Sequence, residues 1–141
     1  MIERCDLERI YGLYQALPEL PSRHSLEQLR ERVGEKPLGL VYVCQGQDAG
    51  FKLGFPLNDT EFYSWLGGVM PEFRRRGIAR SLLHVQESIV RELGFEQLRV
   101  KSMNRFPAML SMLIAEGYHI DGFTKANCVD QHKIHFVKRL L

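Results

Sequence analysis

Apolar residues recur every three or four positions in four stretches of the chain and every second position in most of the segments between them. Leu7, Ile10, Leu13, Tyr14 and Leu17 follow the first spacing and predict a helix, with Asp6 placed to cap its N-terminus and Pro18 and Pro21 to end it. Ser25 followed by Gln28 reads as a capping box for a second helix through Val33, stopped by Gly34. Ile78, Leu82, Val85, Ile89 and Leu93 predict one face of a long third helix closed by Gly94. Pro107, favoured in a first turn, opens a fourth through Glu116, with Gly117 as its stop.

Between the helices the period is two. Leu38 to Gln45, Gly50 to Leu57 and Glu61 to Val69 read as strands, joined by turns at Gly46 to Gly50 and Asn58 to Thr60. Phe51, Leu53, Phe55 and Leu57 alternate along the second of them. Leu98 to Ser102 is a further strand, and His119 to Lys125 and His132 to Leu140 close the chain. The order is ααβββαβαββ: a mixed α/β (α+β) domain, 1–141, whose sheet is antiparallel at first and locally parallel where the long helix crosses over.

Composition narrows the function classes. With 141 residues, 45% hydrophobic and 26% charged, the chain belongs with ordinary globular proteins and is long enough to bury a core without disulfide or metal staples. Nineteen Lys and Arg against 17 Asp and Glu leave a net charge of +2, too little for a dedicated nucleic-acid binder, so any basic function is local. Cys5, Cys44 and Cys128 form no CxxC pair and suggest a reducing, cytoplasmic setting. Charges at Glu3, Arg4, Asp6, Glu8 and Arg9 predict neither a signal peptide nor a membrane anchor, and no apolar run approaches the roughly 20 residues that span a bilayer.

The charge is concentrated at Arg74-Arg75-Arg76, just ahead of the long helix. Cations there oppose the helix dipole, whereas an anion is stabilised by it and by the free N–H groups of the first turn. Gly77 and Ala79 leave room for a phosphate to approach the backbone. The physical reading is a diphosphate cradled by backbone amides with arginine side chains adding charge. The alternative is a solvated basic turn. Neither a nucleotide P-loop nor a GxGxxG fingerprint fits the spacing.

Arg74-Arg75-Arg76-Gly77-Ile78-Ala79 resembles the (Gln/Arg)-x-x-Gly-x-(Gly/Ala) signature of the GNAT superfamily of acyl-CoA-dependent N-acetyltransferases, with Val69 and Pro71 as the hydrophobic-x-Pro ahead of it. Val100 to Asn104, Met109-Leu110 and Glu116-Gly117-Tyr118 are similar to that superfamily's next strand, its asparagine and the Gly-aromatic closing the following helix. The match covers roughly Leu38 to Leu141. It implies acetyl-CoA as co-substrate, held by Val69, Met70, Arg74, Arg75, Arg76, Gly77, Ile78, Ala79, Arg80 and Asn104. It also implies a strand that splays after its start, with the N–H nearest Val69 binding the thioester carbonyl and the pantetheine arm in the gap beside Leu98 to Ser102. For Asn104 an ordinary loop or helix-start role is the alternative.

The resemblance breaks down at the proton donor. Where many relatives carry a tyrosine that protonates the departing thiolate, this chain has Leu113. Water, Ser102 or Ser111 are the substitutes, and Tyr118 is either a donor or a core residue. Tyr63 stands where some relatives place an acidic base; as a phenol it is a poor base at neutral pH and either orders a water or lines the acceptor pocket. Glu61 and Glu72 are the nearby carboxylates, each a base or a plain surface residue, and Tyr63 with Trp65 forms an aromatic wall or ordinary packing. His84, His119, His132 and His135 show no metal-ligand spacing, and Met103, Met109 and Met112 read as core filler.

The resemblance therefore implies an N-acetyltransferase in which a primary amine attacks acetyl-CoA directly. A non-catalytic acyl-CoA-binding module, which the missing tyrosine would suit, is the alternative. The acceptor's identity is open, no nucleic acid or membrane is expected, and exposed sheet edges leave homodimerisation open.

Overall fold

The computed structural model describes residues 1–20 and 23–141; the expected helix stop at Pro21 lies outside them. The elements are β1 (Ile2–Arg4), α1 (Leu7–Gln15), α2 (Leu26–Val33), β2 (Leu38–Cys44), β3 (Gln47–Pro56), β4 (Glu61–Val69), α3 (Ile78–Glu92), β5 (Gln97–Met103), α4 (Pro107–Ala115), β6 (His119–Thr124) and β7 (Lys133–Arg139), with 3-10 turns at Pro71–Phe73 and Val129–Gln131. The seven strands form one sheet in the order β1-β2-β3-β4-β5-β7-β6. Every neighbouring pair is antiparallel except β4 and β5, the pair that α3 joins. No helix among the described residues is long and apolar enough to cross a membrane.

Local chemistry accounts for the helix starts. The Asp6 carboxylate accepts the Arg9 N–H at 3.0 Å. Ser25 and Gln28 close a capping box, with Ser25 Oγ accepting the Gln28 N–H at 3.1 Å and Gln28 Oε1 the Ser25 N–H at 2.8 Å. Between β3 and β4, Asn58 Oδ1 accepts the Thr60 and Glu61 N–H groups at 2.9 and 2.8 Å.

Three expectations are corrected. The strand Ile2–Arg4 precedes α1 and pairs with β2 at the sheet edge; three residues, two of them charged, give no readable period. The β2–β3 turn is the two-residue Gln45-Gly46, both with positive φ (54° and 75°), so β3 begins at Gln47 rather than Gly50. The buried face of α3 is Ile78, Leu82, Leu83, Gln86, Glu87 and Val90, while Leu93 is exposed. Its inner stripe includes two polar residues that an apolar pattern cannot show.

Helices cover both faces of the sheet. Leu38, Leu40, Phe62, Leu98, Val100 and Phe136 pack beneath α3 and α4 with Leu82, Leu83, Val90, Leu113 and Tyr118. Val41, Phe51, Leu53, Phe55 and Tyr63 pack on the other face against Ile10, Leu13 and Tyr14 of α1 and Leu29 and Val33 of α2. Gly54 lets β3 lie close to its neighbours: a Cβ there would fall 2.6 Å from Phe62 Cε1 and from the Tyr63 carbonyl oxygen.

Candidate active site

The site begins where β4 leaves β5. The two strands pair only from Glu61 with Gln97 to Ser64 with Val100, and beyond that β4 stays with β3 while β5 pairs with β7. One residue later the β3–β4 register shifts, so that Leu53 faces Leu66 and Gly54 faces Ser64. Trp65 is the extra residue of a bulge, which bends β4 and puts Trp65 and Leu66 on the same face.

Within the split, backbone groups are free. Met70 donates to the Ala49 carbonyl at 2.8 Å. Bonded and unbonded pairs alternate in an antiparallel ladder, so Gly67 and Val69, opposite Lys52 and Gly50, turn their N–H groups away from β3 and into the split. The Val69 N–H thus faces the split, whereas the Met70 N–H is spent on the ladder. The Val69 carbonyl accepts Arg74 Nε at 3.0 Å.

Polar side chains line the floor of the split on the α3 face. Ser64 Oγ and both ends of the Gln86 carboxamide are buried without a protein partner among the described residues. Beside them Lys52 is 8% exposed, and its Nζ lies 3.5 Å from where a Cβ on Gly67 would sit. Burial lowers its pKa to about 8, against the pull of Glu87. The Glu87 carboxylate in turn accepts Tyr118 Oη at 2.6 Å and Lys138 Nζ at 3.2 Å. Tyr118 packs in the core with its proton committed to Glu87, and burial, then that hydrogen bond, hold the phenol well above its ordinary range. Sequence pattern missed Lys52, Ser64 and Gln86. The only available signal was a lysine interrupting the apolar run of β3.

At the other end of the split, Pro71–Phe73 leads into the arginine loop. Arg75 and Gly77 take positive φ (64° and 76°), and Gly77 is the N-cap of α3 with no side-chain cap. The first turn of α3 holds no acidic residue, and its Ile78, Ala79 and Arg80 N–H groups have no protein acceptor among the described residues. The arginines divide. Arg74 is held by the Val69 carbonyl and an ion pair with Glu19, and Arg76 lies over the Phe73 ring at 5.2 Å with a long contact to the Glu72 carbonyl. Arg80 pairs with Glu116 at 3.3 Å, and among the described residues Arg75 alone of the four has no hydrogen bond, ion pair or ring contact. The unbonded backbone amides of this helix start and the Arg75 side chain are therefore the groups left open at the loop.

The remaining candidates separate by position. Ser102 is half-buried on β5 past the split, in register with Ile134 and on the α3 face. Ser111 is exposed on α4, two residues from the buried Leu113 and so about 200° around the helix from it, turned away from the split. Asn104 uses its carboxamide N–H to hold the Val129 carbonyl at 2.9 Å, a loop-fixing role; Phe106, not Asn104, is the N-cap of α4. Glu61 is bound by Arg99 and Asn58, and its carboxyl is held below the usual range by them. Glu72 is exposed.

Tyr63 lies on the opposite, α1/α2 face, 7% exposed. Phe55 meets Tyr63 and Trp65 edge-on at 5.6 and 5.8 Å, and the three rings pack in the core cluster of that face. Burial raises the Tyr63 pKa, so the phenol stays protonated. Tyr63 borders a cavity of about 190 Å³ with Arg32, Leu57, Arg99, Lys101 and His135. Among the described residues no cluster of His, Cys, Asp and Glu could hold a metal ion.

No protein-family model matches the chain, and no curated protein matches it in sequence. Solved structures do match in fold. The ribosomal-protein-S18-alanine N-acetyltransferase from Escherichia coli is 18% identical with a TM-score of 0.84, covering 99% of this chain and 93% of its own. The aminoglycoside 6'-N-acetyltransferase from Enterococcus faecium is 16% identical with a TM-score of 0.79, covering 100% and 97%. NAA60 from Arabidopsis thaliana, solved in complex with acetyl-CoA, is 14% identical with a TM-score of 0.79, covering 99% and 97%. With a parallel pair that splits behind a bulge and an uncapped helix facing the split, the chain has the fold of the GNAT acetyltransferases.

Proposed function

We propose that the chain, 1–141 as one domain, is an N-acetyltransferase that moves the acetyl group of acetyl-CoA to a primary amine by direct attack. The observation that carries this reading is the split between β4 and β5, whose free N–H groups and orphaned polar floor lead to the bare N-terminus of α3. A thioester with a long amide-bearing arm and a diphosphate matches that sequence of groups. The first-turn N–H groups of α3 and the Gly77 turn would hold the diphosphate. The amides of the arm would pair with the free edge of β4.

In the reaction the amine nitrogen bonds to the thioester carbon, the carbonyl oxygen takes negative charge, and the carbon–sulfur bond then breaks. The N–H groups of Gly67 and Val69 face the split and would stabilise that oxyanion more than the ground-state carbonyl. The amine loses its proton to water, because Tyr63 is protonated and Glu61 is tied to Arg99. The thiolate is protonated by water or by Ser102. Burial pushes the Cys5 thiol up to about 11, which makes it a poor nucleophile for a covalent intermediate; the three cysteines are free thiols, which suits a cytoplasmic setting.

Leu113, 1% exposed in the core, favours a second reading, an acyl-CoA-binding module without catalysis. Calorimetry with acetyl-CoA tests what the two share. We expect one site per chain, with affinity lost in Gly77→Glu, where a carboxylate enters the cradle, and reduced in Arg76→Glu. Undiminished affinity in both variants would remove the cradle assignment. Thiol release from acetyl-CoA then separates enzyme from sensor.

A further inference from the structure

Resting on the acetyl-transfer reading, we infer that the cavity beside Tyr63 is an anion site and that the acceptor is a small amine bearing a carboxylate or phosphate group. The cavity opens where β4 and β5 part: Tyr63 and Arg99 are a register pair, and Lys101 is the next β5 residue on that face, just past the last paired position. Phe62, Leu98 and Val100 face α3, so Tyr63, Arg99 and Lys101 project to the other side of the sheet. The cofactor cradle and this cavity thus approach the split from opposite faces, as two substrates of a direct transfer must.

Its charge is distinctive. Arg99 is answered by Glu61 and by Asp121, the latter at 2.7 Å. Among the described residues Arg32 and Lys101 have no carboxylate partner. Arg32 lies over the Trp65 and Phe55 rings at 5.1 and 5.8 Å, and Lys101 over the Tyr63 ring at 5.6 Å. His135 Nε2 meets Thr124 Oγ1 at 2.7 Å, and burial followed by the charge of Lys101 keeps its ring towards the neutral form. Lys133 and Arg32 both act on Lys101, whose pKa is lowered first by burial and then by those charges. Two cations from different elements therefore face one cavity without counter-charge, an arrangement that an entering anion relieves and an entering cation worsens. At about 190 Å³ the cavity is below the size of a drug-like pocket and suits an anionic group on a short skeleton. Polyamines and other polycationic acceptors are disfavoured by the same charges.

The chain's single tryptophan, Trp65, lies beneath Arg32, so its fluorescence reports on the cavity without any reaction. The experiment titrates wild type, Arg32→Ala and Lys101→Ala with N-acetyl amino acids, their methyl esters and aminoalkyl phosphates, and measures thiol release with the corresponding free amines. We expect saturable fluorescence changes with the acids or the phosphates and not with the esters. In either variant KM for the anionic amine should rise about ten- to hundredfold with kcat retained. Preference for carboxylate over phosphate in the two arms identifies the group. Absence of a saturable response to every anion, or faster turnover of esters and polyamines than of acids, would overturn the inference. Anion binding that depends on Arg32 and Lys101 but comes with no thiol release would support the site while sinking the acetyl-transfer reading.

Discussion

Glu87 shows how a residue can be committed to structure while looking available for chemistry. Its carboxylate is nearly buried, yet it holds the Tyr118 phenol and the Lys138 ammonium in one network. Tyr118→Phe removes a hydrogen bond to a charged acceptor, and chemical denaturation should show a loss of about 1.5–3 kcal/mol with turnover retained. A large loss of turnover in a folded Tyr118→Phe chain would return the phenol to the list of proton donors. Lys52 presents the reverse case, a charge kept at a cost. Its pKa of about 8 in the fold lies below the 10.5 of a free lysine. Below pH 8 both states are protonated and the native state bears the full cost of burying the ammonium. Between about 8 and 10.5 the unfolded state binds more protons, so stability rises with pH. Lys52→Met should therefore be more stable than wild type by roughly 3 kcal/mol at pH 7, at about 1.4 kcal/mol per tenfold change in proton affinity, and the gap should narrow across that window. Denaturation midpoints of both proteins at several pH values check this; a gap that widens with pH contradicts it.

The elements explain what the sequence could and could not disclose. Helix caps were legible because Asp6, Ser25 and Gln28 act on their own neighbours, and the α3 crossover was legible because a long helix between two strands makes them parallel. The bulge at Trp65 left no mark, since one unpaired residue in an apolar strand does not interrupt the composition. The predicted stripe of α3 packs on the core except at Leu93, but its inner face extends to Gln86 and Glu87, whose polar side chains an apolar pattern cannot show. Close packing around the bulge depends on Gly54, which has no room for a side chain: its Cβ would meet the Tyr63 carbonyl oxygen, which cannot swing aside. Gly54→Ala should cost about 1–3 kcal/mol in denaturant unfolding and lower thiol release by displacing β4. An unchanged midpoint would show that the two strands tolerate separation there.

Across the whole molecule, a net charge of +2 conceals two separate basic regions on opposite sides of the sheet. The first, Arg74 to Arg76, was visible as a run and readable as a cradle of backbone amides, but the pairing of Arg74 with Glu19 was not, because no local spacing reveals it. The second was invisible, because Arg32 lies far in sequence from Arg99 and Lys101 and meets them only once α2 packs on the sheet beside β5. Cofactor loops are readable from sequence because they are continuous; a cavity assembled from α2, the turn after β3, β4, β5 and β7 is not. Acetyl transfer is tested most directly by thiol release from acetyl-CoA across a panel of anionic, neutral and cationic amines, for wild type and Gly77→Glu. Release above the no-enzyme rate is expected with anionic amines, and its loss in the variant. No release with any amine, from a chain that still binds acetyl-CoA, would contradict it.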